Sequence, residues 1–410
     1  MRLKIAIIGA GTAGLASALF LSKQNHKIDL YEEFPNPESI GAGLLLQPQG
    51  LFVLNELGLL KKILATGSKV EALVGNNHKS RAIMDFKYSD LHSGLFGVGI
   101  HRGQLFNTLF DKLNLADVNV LLEKKVLEIK QAPQSAMVMT ESTQVEYDLV
   151  VVANGTWSSL TEKLKIKKIF KPYPWGALWK IFNDEEQQFS HVLDQKYIKA
   201  HTMLGMLPTG VNPNTNKSCV SFFYSLKKDQ YGLWKNQDIE LWKEKVLSIW
   251  PALEAMLETV KSHDDLTYAT YADHVMNHWH DHRIVVIGDA GHAMSPQLGQ
   301  GANMALTDAF YLQQALQQQP LVPEALMCYS ETRKKHLKYY QWASRFLTPL
   351  FQSNSWTGAT FRDLTFPPMK YIPIAKRQAL LTLFGVKPSF LRSKPNIDLN
   401  ELAKNIKKHS

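Results

Sequence analysis

The stretch that decides the fold is the N-terminal run Lys4-Ile5-Ala6-Ile7-Ile8-Gly9-Ala10-Gly11-Thr12-Ala13-Gly14-Leu15. Its apolar residues have the length of a buried strand, and the G-x-G-x-x-G spacing leads into an alanine- and leucine-rich segment with helical periodicity. In such a unit Gly9 permits the tight turn, Gly11 lets the backbone approach a pyrophosphate, and Gly14 allows close packing of helix on strand. Free N–H groups and the dipole at a helix N-terminus favour the negative charge of phosphates. We therefore predict a dinucleotide site here, with Ala13 among its contacts.

An acidic residue at the end of a second strand supplies the context that this glycine pattern requires. The segment Lys27-Ile28-Asp29-Leu30-Tyr31-Glu32 is typical of a strand, and Glu32 follows the glycines by about 20 residues. A carboxylate at this point accepts a hydrogen bond from a ribose hydroxyl. Strand, glycines, helix, strand and acid in register therefore favour a dinucleotide-binding unit over an ordinary glycine turn.

A second glycine-bearing turn lies near the other end of the chain. Residues 283–309, RIVVIGDAGHAMSPQLGQGANMALTDA, are typical of a buried strand, a polar loop and the start of a helix. This stretch resembles the FAD-dependent aromatic hydroxylases, the para-hydroxybenzoate-hydroxylase-like group A flavin monooxygenases. Their pattern at this place is G-D-A-A-H-x-x-x-P-x-x-G-Q-G-x-N/G-x-x-x-x-D-A, and the match extends over more than twenty residues. The dinucleotide that the resemblance implies is FAD.

The resemblance implies a set of cofactor contacts around this turn. It assigns Asp289 to the ribityl chain of the flavin and Glu32 to the adenosine ribose. The backbone of residues 299–303 would lie against the isoalloxazine ring, where a helix start stabilises negative charge on the reduced flavin. The loop would also shape the pocket in which oxygen and substrate meet. The cofactor contacts expected in the loop and helix start are Pro296, Gly299, Gly301, Ala302 and Asn303.

Three further segments resemble cofactor-contacting stretches of the same family. Residues 39–50 are similar to G-A-G-I-x-L-x-P-N-A, with Gln49 in place of the usual asparagine. Gly41 and Gly43 would there allow close approach of a planar ring. By resemblance, Arg102 at a helix start reaches the flavin phosphates or ribityl oxygens, and the backbone of Val126 lies beside the adenine. An ordinary loop and a surface arginine remain the alternatives.

A second fingerprint follows the strand at residues 148–153. Asp148-Leu149-Val150-Val151-Val152-Ala153-Asn154-Gly155-Thr156-Trp157-Ser158 resembles the family's D-L-V-x-x-A-D-G-x-x-S-x-x-R. Asn154 replaces the second aspartate of that pattern, and Thr161 replaces its arginine. In relatives the aspartate helps to organise both the flavin and the pyridine-nucleotide regions. The change therefore bears more on NAD(P)H binding than on FAD binding.

The fold class that we predict is α/β, with a Rossmann-like FAD-binding domain, a second antiparallel-sheet substrate domain and a helical C-terminal segment. Aromatic residues are dense between about residues 170 and 276, within strand-like runs. An aromatic, apolar face suits an aromatic or other apolar substrate, although aromatic residues in strands usually serve core packing. The predicted ranges are 1–70, 98–169 and 277–345 for the discontinuous FAD-binding domain, 71–97 and 170–276 for the substrate domain, and 346–410 for the helical basic segment.

Net charge is +9, and residues 362–410 contain ten Lys/Arg against three Asp/Glu. Positive and negative side chains nearly balance in the rest of the chain, which argues against a nucleic-acid partner. With Leu380, Leu381, Leu383 and Phe384 taken as exposed, the basic segment is compatible with weak peripheral membrane contact as well as with a solvated tail. Relatives that end similarly suggest a monomer or a homodimer.

No apolar run reaches the roughly 18 residues of a transmembrane helix, and the N-terminus enters a strand at once. We therefore expect a cytoplasmic protein. Two cysteines, neither in a C-x-x-C pair, argue against a disulfide framework and a zinc site. His278, His280 and His282 alternate, but we predict no metal site.

The activity implied by the resemblance is monooxygenation. NAD(P)H would reduce FAD, O₂ would add to give a C4a-hydroperoxide, and the distal oxygen would hydroxylate an aromatic or related apolar small molecule. An apolar lid would keep water from the peroxide. The chemistry requires no particular catalytic side chain, although His201 and Tyr224 are candidates for a base. The alternatives are a flavin oxidase or dehydrogenase that does not use NAD(P)H, and a non-catalytic, FAD-loaded, membrane-associated module.

Overall fold

Three sheets organise the chain in the computed structural model, which describes residues 2–36 and 42–409. The strands are, in chain order, β1 (Lys4–Ile8), β2 (Lys27–Tyr31), β3 (Gly43–Leu46), β4 (Ser68–Asn77), β5 (Ala82–Lys87), β6 (Gly97–His101), β7 (Val118–Leu121), β8 (Glu128–Gln131), β9 (Ala136–Met139), β10 (Gln144–Tyr147), β11 (Leu149–Val152), β12 (Lys168–Asn183), β13 (His191–Ile198), β14 (Thr202–Val211), β15 (Ser218–Lys227), β16 (Thr267–Met276), β17 (His280–Asp281) and β18 (Ile284–Val286).

The helices connect these strands and form the C-terminal part of the chain. They are α1 (Thr12–Ser22), α2 (Pro48–Glu56), α3 (Leu60–Thr66), α4 (Arg102–Leu113), α5 (Tyr231–Asn236), α6 (Ile239–Ile249), α7 (Glu254–Glu258), α8 (Asp289–His292), α9 (Gly301–Gln318), α10 (Val322–Phe351), α11 (Trp356–Met369), α12 (Pro373–Leu383) and α13 (Leu399–His409).

The first sheet is Rossmann-like, with the order β17-β18-β11-β1-β2-β7. All neighbours except the β17/β18 pair are parallel. The central strands β1 and β11 are almost entirely apolar and buried, as expected for a parallel sheet covered on both faces. Helix α1 is buried on nearly every side because it packs against both α4 and α9. The carboxyl ends of β1, β2, β11 and β18 therefore meet at one edge, which is where such sheets bind ligands. Strands β8–β10 form a separate small sheet.

The second sheet has the order β16-β12-β15-β14-β13-β4-β6-β3, and β5 pairs with β4. Its neighbours are antiparallel, except that β13 and β4 are parallel. One face packs on the α5–α7 region through a cluster that includes Phe222, Tyr224, Trp234 and Trp242. Residues from the other face pack against the end of α10, including Tyr197, whose ring meets Phe351 edge-on at 5.1 Å. The predicted fold class is confirmed, with this one parallel pair as an addition.

The sheets do not separate at the predicted domain boundaries. Strands β3 and β6 continue the second sheet, although both lie mainly in ranges assigned to the FAD-binding domain. Helix α10 also runs through residue 345 without a break. Hydrogen-bonded pairing thus joins the two predicted domains, and the division by residue ranges stays a prediction.

The C-terminal segment is helical but is not an exposed tail. The expectation that Leu380, Leu381 and Phe384 are exposed is wrong: their exposed fractions are 2%, 0% and 0%. Phe384 stacks on Tyr88 with ring centres 3.9 Å apart, and the Tyr340 hydroxyl donates to the Leu381 carbonyl at 3.3 Å. Leu380 and Leu381 of α12 and the following Phe384 thus pack on the core, and Leu383 is half-buried. Across residues 2–36 and 42–409, no helix has the length and apolarity needed to cross a membrane.

Candidate functional site

The first glycine turn combines two tightly packed glycines with one that borders open space. Gly9 has φ of +103°, and a Cβ there would lie 2.7 Å from the carbonyl oxygen of Ala153. A Cβ on Gly14 would lie 1.9 Å from the carbonyl oxygen of Gly9, so helix α1 packs directly on the turn. By contrast, among the described residues, no atom beyond the immediate chain neighbours of Gly11 lies within 4 Å of a Cβ placed on it. The turn thus leaves a solvent-exposed recess at Gly11, next to the start of α1.

Helix α1 begins beside this recess without a polar cap. Gly11 is its N-cap residue, and within the described residues no side chain bonds to the cap. The first N–H groups of a helix have no partners within the helix itself. With the helix dipole, these groups form an anion-binding end that fits a pyrophosphate.

Glu32 lies at the carboxyl end of β2, with its carboxylate fixed by two backbone groups. Oε2 accepts from the Ala10 N–H at 2.8 Å, and Oε1 accepts from the Phe34 N–H at 3.1 Å. A carboxylate has about four lone-pair sites, so both oxygens can accept further bonds. Glu32 is therefore oriented beside the β1 turn, in a position that fits a ribose hydroxyl.

The second glycine turn contacts the first one. Gly288 follows β18 with φ of +61°, and a Cβ there would lie 2.9 Å from the Cβ of Ala13. Asp289, the next residue, is exposed, and its Oδ1 lies 3.8 Å from the position of a Cβ on Gly301. Segments almost three hundred residues apart in sequence therefore meet at one edge of the first sheet. This juxtaposition agrees with the sequence prediction.

The loop before α9 leaves a second open recess. Pro296 begins a 3₁₀ turn that ends at Leu298, and the exposed Gly299 follows in the left-handed conformation with φ of +61°. No described atom lies within 4 Å of a Cβ placed on Gly299. Helix α9 then begins at Gly301, where Gly301 and Ala302 are half-buried. Its uncapped N-terminus points a second helix dipole toward the same edge of the sheet.

Asn303 is buried and its side chain binds the protein. Its Oδ1 accepts from the Gln47 N–H at 2.9 Å, and its amide donates to the carbonyl oxygens of Leu45 and Gly299 at 3.0 and 3.1 Å. A Cβ on Gly50 would lie 2.2 Å from the same Oδ1. Asn303 therefore fixes the end of β3 and the start of α2 to the α9 loop. Sequence reasoning considered only its backbone.

Gly43 also packs on protein. Its N–H donates to the Ser221 hydroxyl at 3.0 Å, and a Cβ on it would lie 1.9 Å from Cγ2 of Thr209. The close approach at Gly43 is thus made by the second sheet. The neighbouring prediction for Gly41 lies outside the described residues.

Within the described residues, neither Arg102 nor Val126 makes a hydrogen bond to the glycine turns. Arg102 is the exposed first residue of α4, and in the described part of the chain it makes no hydrogen bond or ion pair. Its guanidinium is therefore available to a ligand. Val126 is buried in the apolar core beside the first sheet.

A buried polar network lies behind the second turn. Asp308 accepts from the Gly288 N–H at 2.8 Å, from His292 at 2.5 Å and from Arg333 at 2.7 Å. Burial opposes the ionisation of Asp308, yet His292 and Arg333 hold the pKa of its carboxyl well below the ordinary value. The network continues through His336 to the carbonyl oxygen of Gly385. It therefore joins the second glycine turn to the C-terminal segment.

His336 is neutral in this network. Burial and then the charge of Arg333 bring the pKa of His336 well below its ordinary value. Arg333 can only donate, so Nδ1 of His336 accepts and Nε2 donates to Gly385. Sequence reasoning missed these roles, although the signal was present: Arg333 and His336 fall on the apolar face of α10, where a charged residue requires a buried partner.

The second fingerprint lies beside the first turn. The Cα of Asn154 is 2.8 Å from the position of a Cβ on Gly9. Thr161 is buried, and its carbonyl oxygen accepts a hydrogen bond from Lys168. Nearby, Trp157 has an exposed fraction of 61% and meets the edge of the Phe170 ring at 5.2 Å. This face therefore offers aromatic rings and a cation to solvent.

The junction between the second sheet and the α9 loop contains a polar cluster. Ser295, directly before Pro296, shares hydrogen bonds with Thr348 at 2.5 Å and Ser344 at 3.1 Å. The pairing of β12 with β16 shifts register between Pro172 and Gly176. Burial raises the pKa of Asp273, and burial followed by the charge of Asp273 raises the pKa of Tyr173. The two groups can hold a proton where the sheets meet.

Neither of the two residues predicted from the sequence as a base, Tyr224 and His201, belongs to this polar cluster. Tyr224 is buried behind the second sheet, with its ring edge-on to Trp242 at 5.7 Å. His201 is exposed as a residue and shares a 2.8 Å hydrogen bond with Thr202. Partial burial of its imidazole ring lowers the pKa of His201.

Known proteins resemble this chain over most of its length. The chain matches the model of a family described as "FAD binding domain" over residues 2–339. It is 22% identical over 389 residues to the aurachin C monooxygenase/isomerase of Stigmatella aurantiaca, covering 90% of this chain and 99% of that protein. It is 24% identical over 384 residues to the 3-amino-4-hydroxybenzoate 2-monooxygenase of Streptomyces cremeus, covering 88% and 91%.

Solved structures share the fold. Klebsiella pneumoniae HpxO, crystallised with FAD and uric acid, has a TM-score of 0.76 at 18% identity, covering 92% of this chain and 97% of that one. The tetrameric form of 2-methyl-3-hydroxypyridine-5-carboxylic acid oxygenase has a TM-score of 0.73 at 21% identity, covering 89% and 97%.

The fold, the two glycine turns and these relatives define a class, the FAD-dependent oxidoreductases. Within that class, the chain belongs to the FAD binding domain family. The alternative of a non-catalytic module is therefore not retained.

Proposed function

We propose that the protein is a monooxygenase that uses FAD, NAD(P)H and O₂ to hydroxylate an aromatic or related apolar small molecule. The observation that carries the proposal is the contact between the two glycine turns, where Gly288 packs on Ala13 and both Gly11 and Gly299 border open space. FAD, when bound, would supply the oxygen-activating chemistry that the family resemblance implies. NAD(P)H would supply the electrons.

We assign the cofactor contacts by chemistry. The N-terminus of α1, with Gly9, Gly11, Ala13 and Gly14, would hold the pyrophosphate. Glu32 would accept from the adenosine ribose, and Arg102 would neutralise phosphate charge. The remaining assignments are Gly43, Val126, Asp289, Pro296, Gly299, Gly301, Ala302 and Asn303, with Asp289 on the ribityl chain and the α9 N-terminus toward the flavin ring.

The second sheet would form the apolar wall of the substrate site. Trp179 packs on Phe223 with ring centres 5.3 Å apart, and its indole donates to the Tyr271 hydroxyl at 3.0 Å. Such a wall suits an aromatic substrate and keeps water from the reacting atoms. The buried carboxyl of Asp273, beside Tyr173, would exchange a proton with a phenolic substrate.

The face around Trp157 supports the use of a pyridine nucleotide. Its exposed rings can stack on a base or nicotinamide, and Lys168, Lys167 and Lys171 can neutralise phosphates. These cations follow the position where Thr161 replaces the family arginine. The substitutions at Asn154 and Thr161 also motivate the second candidate, a flavin oxidase or dehydrogenase that does not use NAD(P)H.

The decisive experiment is anaerobic stopped-flow mixing of the FAD-loaded protein with NADPH or NADH. We expect flavin absorbance near 450 nm (roughly the usual flavin maximum) to bleach rapidly, and bleaching to accelerate in the presence of a suitable phenol. A Lys168→Gln, Lys171→Gln variant should raise the nucleotide concentration for half-maximal rate without changing FAD occupancy. Lys61→Gln is the matched control.

Two outcomes would contradict the proposal. Protein that takes up no FAD would remove the cofactor assignment altogether. Protein that holds FAD, resists reduction by both nucleotides and is reduced by an organic substrate would instead be an oxidase or dehydrogenase.

A further inference from the structure

One face of α10 exposes aromatic rings among cations. Lys335, Lys338, Trp342, Arg345 and Phe346 recur at helical spacing, and all five are exposed. The opposite face of the same helix contains the buried residues that bond to Asp308 and Ser295. The exposed face is therefore not needed to hold the second glycine turn or the loop before α9 in place.

The exposed rings form a continuous surface with the segment that follows α12. Trp342 stacks on Phe346 with ring centres 5.5 Å apart, and it meets Phe390 edge-on at 5.1 Å. Trp342 and Phe390 nevertheless keep exposed fractions of 48% and 50%, and Leu391 has 95%. We call Lys338, Trp342, Arg345, Phe346, Phe390 and Leu391 the α10 surface.

Apolar exposure and positive charge are concentrated in the same part of the chain. Of the twenty exposed large apolar side chains in the described residues, ten lie between residues 342 and 391. Residues 338–394 contain nine Lys/Arg and one acidic residue, Asp363, which is paired with Arg362. Arg362 and Lys387 are buried, and Lys370 and Lys376 form ion pairs with Asp85 and Asp90. The other five cations are exposed and form no ion pair within the described residues: Lys338, Arg345, Arg377, Arg392 and Lys394. Contiguous exposed apolar area on a folded protein marks a surface that binds a partner. The unbalanced charge indicates that the partner is anionic.

We propose that the α10 surface docks the protein peripherally on an anionic membrane. Tryptophan and other aromatic rings prefer the headgroup level of a bilayer, where one end of the ring is wet and the other apolar. Lysine and arginine next to them would contact lipid phosphates. The flexible stems of Lys338 and Arg345 allow the rings beside them to reach the acyl boundary.

A second copy of the chain is the competing occupant. A two-fold interface would place the α10 surface against itself, because both subunits use the same patch in such an interface. The cations of each copy would then face those of the other, with one paired acid to offset them in residues 338–394. Charge complementarity therefore favours an anionic bilayer. The proposal does not depend on the reaction proposed above.

Vesicle flotation of the full-length, FAD-loaded protein tests this inference. We expect binding to vesicles of phosphatidylcholine and phosphatidylglycerol, none to phosphatidylcholine alone, and release as salt shortens the Debye length. Lys338→Gln and Arg345→Gln should each weaken binding about fivefold, the effect of one cation at an anionic surface. Trp342→Ser with Phe390→Ser should weaken binding and leave its salt dependence unchanged.

Matched controls use exposed residues elsewhere. Lys61→Gln, Lys124→Gln and Leu115→Ser should bind vesicles as the wild type does. All variants should keep the wild-type melting temperature within a few degrees and the wild-type FAD absorbance. Point substitutions are used because removing the C-terminal segment would uncover the core at Phe384.

Several results would overturn the inference. They are equal binding to neutral vesicles, control variants that weaken binding as much as the α10 variants, and wild-type protein that stays unbound at low salt. Sedimentation showing that Trp342→Ser with Phe390→Ser converts a dimer to a monomer, without vesicle binding, would assign the surface to self-association instead.

Discussion

At the scale of single residues, the three glycines of the first turn have different physical roles. Gly14 is required because a methyl group there would lie 1.9 Å from a carbonyl oxygen of the protein itself. A Cβ on Gly11 would contact no described protein atom beyond its chain neighbours, so the small size of Gly11 matters only for the approach of a ligand. This difference separates a requirement of the fold from a requirement of the cofactor, and it can be measured.

Gly11→Ala should bind FAD poorly while the apoprotein stays folded. Gly11 has φ of −73°, which alanine adopts freely, so the apoprotein should lose under about 1 kcal/mol as a weaker N-cap. A methyl group against the pyrophosphate costs about 1–3 kcal/mol, roughly a tenfold to hundredfold rise in Kd for FAD. Gly14→Ala should instead lower the melting temperature of the apoprotein. Equal effects of both variants on the apoprotein would contradict these roles.

His336 should make stability depend on pH. The folded-state pKa of His336 lies well below 6.5, so the unfolded chain binds a proton more readily, and stability falls as pH decreases below about 6.5. His336→Gln retains a donor and an acceptor without titrating. Chemical unfolding should give nearly equal pH dependence in both proteins above about pH 7, whereas toward pH 5 the slope of this variant should be smaller by up to about 1.4 kcal/mol per pH unit. The exposed His78→Gln is the control, and an unchanged slope in His336→Gln would exclude the role.

At the scale of elements, local signals explain which parts of the candidate site could be predicted, and contacts between elements explain which parts could not. Glycine spacing and strand length are local signals, so the turns at Gly9 and Gly288 could be predicted. The buried amide of Asn303 and the Arg333–His336 network depend on which helix covers which strand, and no local pattern encodes that. Leu380 and Phe384 were misjudged because flanking prolines and cations resemble a solvated tail.

The contact of β3 with β14 gives a test at this scale. Gly43→Ala should lower stability by about 1–3 kcal/mol, because its methyl group would lie 1.9 Å from Cγ2 of Thr209. Thr209→Ser removes that carbon and keeps the hydroxyl that donates to the Cys219 carbonyl. The double variant should therefore recover most of the loss in denaturant unfolding. If the stability losses of the two single substitutions simply add in the double variant, Gly43 is required for a reason other than its contact with Thr209.

At the scale of the whole molecule, the C-terminal helices complete the core. Leu380, Leu381, Phe384 and Val386 are fully or almost fully buried, and Gly385 accepts the last hydrogen bond of the Asp308 network. Burial of each apolar side chain contributes about 1.5–3 kcal/mol. Their joint loss is comparable with the whole stability of a domain, about 5–15 kcal/mol.

A chain that ends at Lys370 should therefore fail to keep the native state. We expect loss of the cooperative thermal transition and of FAD absorbance in the purified protein. A chain that ends at Asp398 removes only α13 and serves as the milder comparison. Retention of wild-type FAD affinity by the shorter chain would contradict the role given to α12.

The meeting of the two glycine turns also has a consequence for biosynthesis. Gly14 and Asp289 are 275 residues apart. At about 5–20 residues per second, a ribosome needs roughly 15–55 s to make the intervening chain. During that interval the nascent polypeptide contains the first glycine turn but not yet the second. In the proposed arrangement, FAD can therefore bind its complete site only after Asp289 has been synthesised, late in translation.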